Sequence, residues 1–199
     1  VKKEVRVLNV QEQKRLTTAI TPVYKENSMV PVLVAIHAGL RIGEVSALRI
    51  EDICLSKRQI QVDESLNRVM TYKEDGTVCC PLIYQSTKSS RVRKVPMNEE
   101  LYKALKTYLD TMPRERREDP KAPLFHTRNG NVMEPRRISY HMHRLLSKLD
   151  IHDIHFHSLR HTFATRALEA GIPIKYCSTM LGHASTGITE NLYAHVRNS

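Results

Sequence analysis

The run His157-Ser158-Leu159-Arg160-His161-Thr162 places a histidine and an arginine three positions apart at the start of an apolar-periodic segment. Residues three apart share one face of a helix, and the free N–H groups and dipole of a helix N-terminus favour an anion. Ser158 as an N-cap starts the helix at about His157. Phe163, Ala164, Ala167 and Leu168 recur at helical spacing, Gly171 stands where a left-handed C′ residue belongs, and Pro173 stops continuation. His157 and Arg160 then point the same way beside that N-terminus, which makes a seat for a phosphate.

Other polar residues stand at turns and helix ends. Arg41, in Gly39-Leu40-Arg41-Ile42-Gly43-Glu44, follows a helix end and precedes a short helical turn, so its side chain can reach out of the core. Lys88 lies in a turn with Thr87, Ser89 and Ser90, and Leu181-Gly182-His183 is followed ten residues later by Tyr193. Two other chemistries need weighing. His152-Asp153-Ile154-His155-Phe156-His157 resembles a metal cluster of a phosphohydrolase or nuclease, but its spacing is loose and no second carboxylate-rich segment accompanies it. Ile174 to Tyr193 has the helix, glycine turn and helix outline of a non-catalytic helix-turn-helix.

Composition narrows the partners. Lys and Arg outnumber Asp and Glu by 31 to 21 in 199 residues, for a formal charge of +10, and the basic residues recur along the whole length. A polyanion is the natural partner, and nucleic acid is favoured over a membrane because the longest apolar run, Met29 to Leu40, is too short to span a bilayer and carries His37. The four cysteines show no CxxC spacing, and Cys79 and Cys80 in a strand point to opposite faces, so reduced cytoplasmic thiols are expected. The charged amino terminus has neither an initiator Met nor a signal-peptide apolar region, so the sequence reads as a piece of a longer protein with domains upstream. One core is expected over 1–199.

The elements that must position these residues follow from pattern. Asn9 and Glu12 form a capping box for a helix through Val10, Leu16, Ala19 and Ile20 that ends near Pro22. A second helix begins at Asn27 or Ser28, tolerates Pro31 in its first turn, and ends at Gly39. Gln59 to Val69, Thr77 to Gln85 and Arg91 to Val95 read as strands of a small antiparallel sheet, with turns at Asp75-Gly76 and at Ser86 to Ser90, the second presenting Lys88 at its tip. Asn98, Glu99 and Glu100 open an amphipathic helix with Leu101, Leu105, Leu109 and Met112, followed by a surface loop from Pro113 to Pro123. A helix from Pro135 to Leu149 carries Arg136, Arg137 and Arg144 on a face that can track a DNA backbone. Ile174 to Leu181 and Thr186 to Val196 are the last two helices. The fold class is α+β, mainly helical, with a small three-stranded antiparallel sheet.

With Gly39-Leu40-Arg41-Ile42-Gly43-Glu44, Lys88 before Arg93-Lys94-Val95-Pro96, His157 to Thr165, Leu181-Gly182-His183 and Tyr193-Ala194-His195-Val196 in this order, the chain resembles the catalytic domain of the tyrosine recombinases, or phage-type integrases. The match covers nearly all of the chain and is similar to integrases of conjugative transposons. The resemblance implies the fold of DNA breaking and rejoining enzymes, and a double-stranded DNA substrate without metal or other cofactor. It also implies a recombinase tetramer on DNA, a bacterial, phage or mobile-element origin, and integration or excision of a mobile element.

The resemblance also implies roles. Tyr193 is the nucleophile that forms a 3′-phosphotyrosyl link, later resolved by a 5′-hydroxyl. Arg41 and Arg160 hold the non-bridging oxygens, as planar and permanently charged forks suit. Lys88 is the general acid for the leaving 5′-oxygen, with Arg91, Arg93 and Lys94 close enough to compete. His157 is the candidate base, His183 hydrogen-bonds the phosphate, and Glu44 braces Arg41. Arg91, Arg136, Arg137 and Arg144 are candidate DNA contacts. Presence of all six polar positions argues against a degenerate binder. A covalent adduct separates the enzyme from the binding module, and chelator sensitivity separates it from the metal-dependent rival.

Overall fold

The computed structural model describes residues 6–21, 29–86, 92–183, 185–187 and 189–190. Asn9 and Glu12 cap the first helix, Val10–Ile20 (α1), reciprocally: Asn9 Oδ1 accepts the Glu12 N–H at 2.8 Å, and Glu12 Oε2 accepts the Asn9 N–H at 3.0 Å. The second helix is described from Val30 to Ala38 (α2); its expected start at Asn27 or Ser28 lies outside the described residues, and Pro31 sits in the first turn. Every α2 residue except His37 is buried, because a helix that is apolar all round must be surrounded. Gly39 ends it at φ +66, with its N–H donated to the Ala35 carbonyl at 3.0 Å.

Ile42–Ala47 (α3) follows, with Arg41 at its N-cap. The strands are short and all antiparallel: Ile53–Cys54 (β1), Gln59–Val62 (β2), Glu64–Arg68 (β3), Thr71–Tyr72 (β4), Val78–Cys79 (β5), Leu82–Ser86 (β6) and Arg93–Pro96 (β7). A three-stranded sheet is present, in the order β1-β2-β7, but its members differ from those the pattern suggests, and β3-β6 and β4-β5 form separate pairs. The run Gln59 to Val69 splits at Asp63. Val62 pairs with Arg93 and Glu64 with Ser86, so partners two positions apart on one side stand seven apart on the other and one continuous ladder cannot stay in step. The second run breaks at Pro81, which has no N–H to donate. β6 and β7 pair with successive parts of the same stretch and not with each other. The expected hairpin tip with Lys88, at 87–91, lies outside the described residues.

Glu99–Asp110 (α4) is capped by Asn98, whose Oδ1 accepts the Leu101 N–H at 2.9 Å. The expected loop after it contains one helical turn, Arg114–Arg117 (α5), none of whose residues is buried. Pro135–Lys148 (α6) buries Ile138, Met142 and Leu146 and leaves Arg136, Arg137 and Arg144 exposed. Phe156–Glu169 (α7) begins earlier than Ser158 as N-cap would allow. His155 holds the cap, and Ser158, three residues on, reaches back to accept the His155 N–H at 3.3 Å. Gly171 takes φ +81 as expected, and Gly171 and Ile172 donate to the Leu168 and Ala167 carbonyls, a Schellman closure. Ile174–Leu181 (α8) packs on α7 through a small core of Ala164, Ala167, Leu168, Cys177 and Leu181. Thr186, Gly187, Thr189 and Glu190 are helical; the rest of the expected last helix, with Tyr193, lies outside the described residues. Among the described residues, no helix is long and apolar enough to cross a membrane.

Candidate active site

The left-handed Gly39 turns the chain out of α2, and Arg41 then starts α3 with about a third of its side chain exposed, 32%. Glu44, 2% exposed, accepts the Arg41 backbone N–H at 2.8 Å through Oε2 and Arg41 Nη1 at 3.0 Å through Oε1. Glu44 thus braces both the backbone and the side chain of Arg41. At Gly43 a Cβ would lie 2.5 Å from Ser65 Oγ and 2.9 Å from Asn67 Oδ1, so only glycine lets α3 approach β3 this closely. Between them opens a cleft of about 310 Å³ lined by Arg41, Glu44, Ser65, Asn67, Ser86 and His157.

Arg93 is the residue whose place the sequence reading did not foresee. It competes on paper with Lys88 for a proton, yet it is buried, at 7% exposed. Its Nη1 and Nη2 fork onto Glu44 Oε1 and Oε2 at 3.0 and 2.7 Å, and its Nε donates to the Met180 carbonyl at 2.8 Å. Alternation carries the signal: in β7, Arg93 and Val95 face inward while Lys94 and Pro96 face out. Burial would raise the Glu44 pKa, but the hydrogen bonds and charge of Arg93, followed by those of Arg41, outweigh it and hold the carboxyl below its ordinary range.

The α7 residues close the other side. Arg160, 2% exposed, donates Nη1 to the Gly39 carbonyl at 2.8 Å and Nη2 to the Leu181 carbonyl. Burial, and then the neighbouring Arg41, push its pKa down to about 9, which leaves it charged at pH 7. His157 stacks edge-on against His161, ring centroids 4.4 Å apart. His183 follows Gly182, which ends α8 at φ +65, and its Nδ1 meets Thr189 Oγ1 at 2.9 Å. Burial, then Arg160 and Arg41, lower the pKa of His157 and take that of His183 down to about 4. His161 falls to about 4 through burial and then His157 and Arg160. All three rings are therefore neutral at pH 7. The same interactions bring Arg41, Arg160, His157, His161 and His183 into one electrostatic neighbourhood. Three guanidiniums (Arg41, Arg93, Arg160) against one carboxylate (Glu44) leave two positive charges in excess.

Lys88, Arg91 and Tyr193 lie outside the described residues; Ser86, two positions before Lys88, lines the cleft. Arg136 and Arg137 border a separate hollow with Tyr140 and His141, and Arg144 lies over the Tyr140 ring at 5.8 Å. The histidines of the rival cluster diverge. His152 meets Asp150 at 2.7 Å, His155 lies beside His143 with centroids 5.9 Å apart, and His157 turns to His161. Among the described residues no three His, Cys, Asp or Glu side chains converge to hold a metal. α8 is packed against α7 and β7 and anchored by Arg93 and Arg160 at its last carbonyls.

The phage integrase family model matches residues 6–199. The chain is 30% identical over 173 residues to a tyrosine recombinase XerC-like protein of Caldanaerobacter subterraneus subsp. tengcongensis, covering 82% of this chain and 44% of that protein. It is 30% identical over 194 residues to the transposase from transposon Tn916 of Enterococcus faecalis, covering 93% of this chain and 46% of that one. The chain thus spans less than half the length of these relatives. Among solved structures, the Tn1549 transposon integrase in complex with circular intermediate DNA superimposes with TM-score 0.78 at 27% identity, over 98% of this chain and 64% of that chain. XerA recombinase gives TM-score 0.74 at 27% identity, over 100% and 65%.

Proposed function

We propose, because the chain belongs to the phage integrase family, that it is the catalytic part of a site-specific DNA recombinase that integrates or excises a mobile element. Tyr193 attacks a DNA phosphodiester; its phenolic oxygen bonds to phosphorus, the 5′-oxygen leaves, and the 3′-phosphotyrosyl link keeps the bond energy until a 5′-hydroxyl reverses the step. The reading rests most on Arg41 and His157, distant in sequence, lining one cleft, with Arg160 and His183 near enough to feel the Arg41 charge. A phosphodiester carries one negative charge, and the five-coordinate transition state gains a second. Two excess positive charges suit that dianion, and preorganised donors act most strongly where charge develops. Among the described residues Arg160 serves two carbonyls, and a guanidinium offers five N–H groups. A phenol with a pKa of about 10 needs a base, and neutral His157 is available to take its proton. Lys88 protonates the leaving oxygen, His183 donates to the phosphate, and Arg91, Arg136, Arg137 and Arg144 contact the DNA backbone. Exchange between two duplexes needs a cut on each strand involved, hence four copies on DNA.

The test is covalent capture. Full-length protein is mixed with a library of duplexes of randomised sequence, each carrying one nick so that a short 5′-hydroxyl fragment diffuses away after cleavage. A protease-sensitive adduct that survives denaturant is expected with wild type, and none with Tyr193→Phe at similar DNA affinity. Absence of any adduct with wild type, or an equal adduct with the Phe variant, would overturn the reading.

A further inference from the structure

The hydrogen bonds of the site close into a ring. Arg41 is held by Glu44, Glu44 is forked by Arg93, and Arg93 Nε holds the Met180 carbonyl at 2.8 Å. The next carbonyl, Leu181, accepts from Arg160, whose other arm holds the Gly39 carbonyl at 2.8 Å, two residues before Arg41. Gly182 lies flat on the Arg93 guanidinium: a Cβ there would stand 3.1 Å from Nη1 and 3.2 Å from Cζ and Nε. Two successive carbonyls at the end of α8 are therefore gripped by two arginines, immediately before the segment that carries His183 and then Tyr193.

We propose that Arg93 is a positioning residue that fixes the end of α8 to the Arg41–Glu44 pair, so that the phosphate-binding arginine and the His183 end of α8 move as one body. This rests on the reading of Arg41 and Tyr193 given above. The side chain suits the task because one rigid plane offers two parallel N–H groups to a carboxylate and a third to a carbonyl, which a lysine ammonium cannot do. Stability alone gives little reason for the pair, since well-packed apolar groups often replace buried ion pairs without loss. Glu44 faces the cations Arg41, Arg93 and Arg160, while Asp52, Asp63 and Glu64 line the hollow behind it. Without Arg93 the effect of burial on Glu44 is less opposed, Glu44 takes up a proton at higher pH, and Arg41 is released.

The experiment measures duplex affinity, thermal midpoint and single-turnover adduct formation across pH for full-length wild type, Arg93→Met and Arg93→Lys on the nicked duplex that wild type captures. Both variants are expected to bind DNA within about twofold of wild type and to form adduct about 10–10²-fold more slowly, as loss of a supporting partner does. The acid limb of the Arg93→Met profile moves to higher pH. Combined with Arg41→Lys, Arg93→Met slows the reaction by less than the product of the two single losses, because the residues act as a unit. Wild-type rates in both variants, losses that multiply with Arg41→Lys, or a deficit that only follows the folded fraction would overturn the inference. If Arg93→Met does not fold, Arg93→Lys decides. An inactive wild type instead removes the parent reading.

Discussion

The Arg160 guanidinium donates to the Gly39 carbonyl at 2.8 Å, and that bond ties α7 to the segment that leads into Arg41. Gly39 is the last turn of α2 and Arg160 lies in the first half of α7, so the contact sets how far the Arg41 side of the site stands from the histidines. It requires Gly39 to hold φ +66 while its Cα sits against Phe163 and Leu181, where a Cβ would overlap the Phe163 ring.

Gly39→Ala is therefore expected to destabilise the protein by about 2–5 kcal/mol. The left-handed conformation accounts for about 1–2 kcal/mol and the overpacking against Phe163 and Leu181 for about 1–3. Guanidinium chloride unfolding of the variant beside wild type reads the difference. Unchanged stability would mean that the neighbouring side chains yield freely.

Acid should weaken the fold through the histidines. His161 and His183 titrate at about 4 in the folded chain because burial and then positively charged or ring neighbours disfavour the imidazolium, whereas unfolded histidine titrates near 6.5. The unfolded state thus binds more protons between these values, and stability rises with pH there. Their contribution is complete above pH 6.5 and is lost progressively as pH falls towards 4. Denaturation midpoints across that window should fall with pH, and His161→Phe, which keeps a ring against His157, should flatten the slope. A midpoint constant over the window would exclude this account.

Much of the frame was legible because local chemistry decides it. Asn9 with Glu12, Asn98, Gly39, Gly171 and Gly182 mark helix ends where the structure has them, since capping needs only a few residues. The arginine at 41 was readable as outward-reaching for the same reason. Strand partners were not. The break at Asp63 depends on the unequal length of two chain stretches that meet only in the fold, and no local pattern near Gln59 to Val69 reports it. Arg93 escaped because a basic residue beside Lys94 reads as surface until Glu44 is known to lie beneath it. Ser158 misled because a serine three residues into a helix and a serine at its cap carry the same sequence signal.

Lys88 can be tested by changing the leaving group instead of the protein. It lies two positions beyond Ser86 in the sequence, and Ser86 lines the cleft. An alkoxide leaving from the 5′ side needs a proton in the transition state, whereas a thiolate, with a pKa several units below that of an alcohol, leaves without one. Lys88→Ala is expected to slow adduct formation on ordinary DNA by roughly 10²–10⁴-fold, the usual range for loss of a general acid. On DNA with sulfur at the bridging 5′ position the same variant should react at close to the wild-type rate. Arg160→Ala should show no such rescue, because its charge is needed on the non-bridging oxygens whichever atom departs. If sulfur rescues neither variant, Lys88 only positions the DNA. The acid then lies among its neighbours, with Lys94 first, since it faces outward from β7 while Arg93 is committed to Glu44.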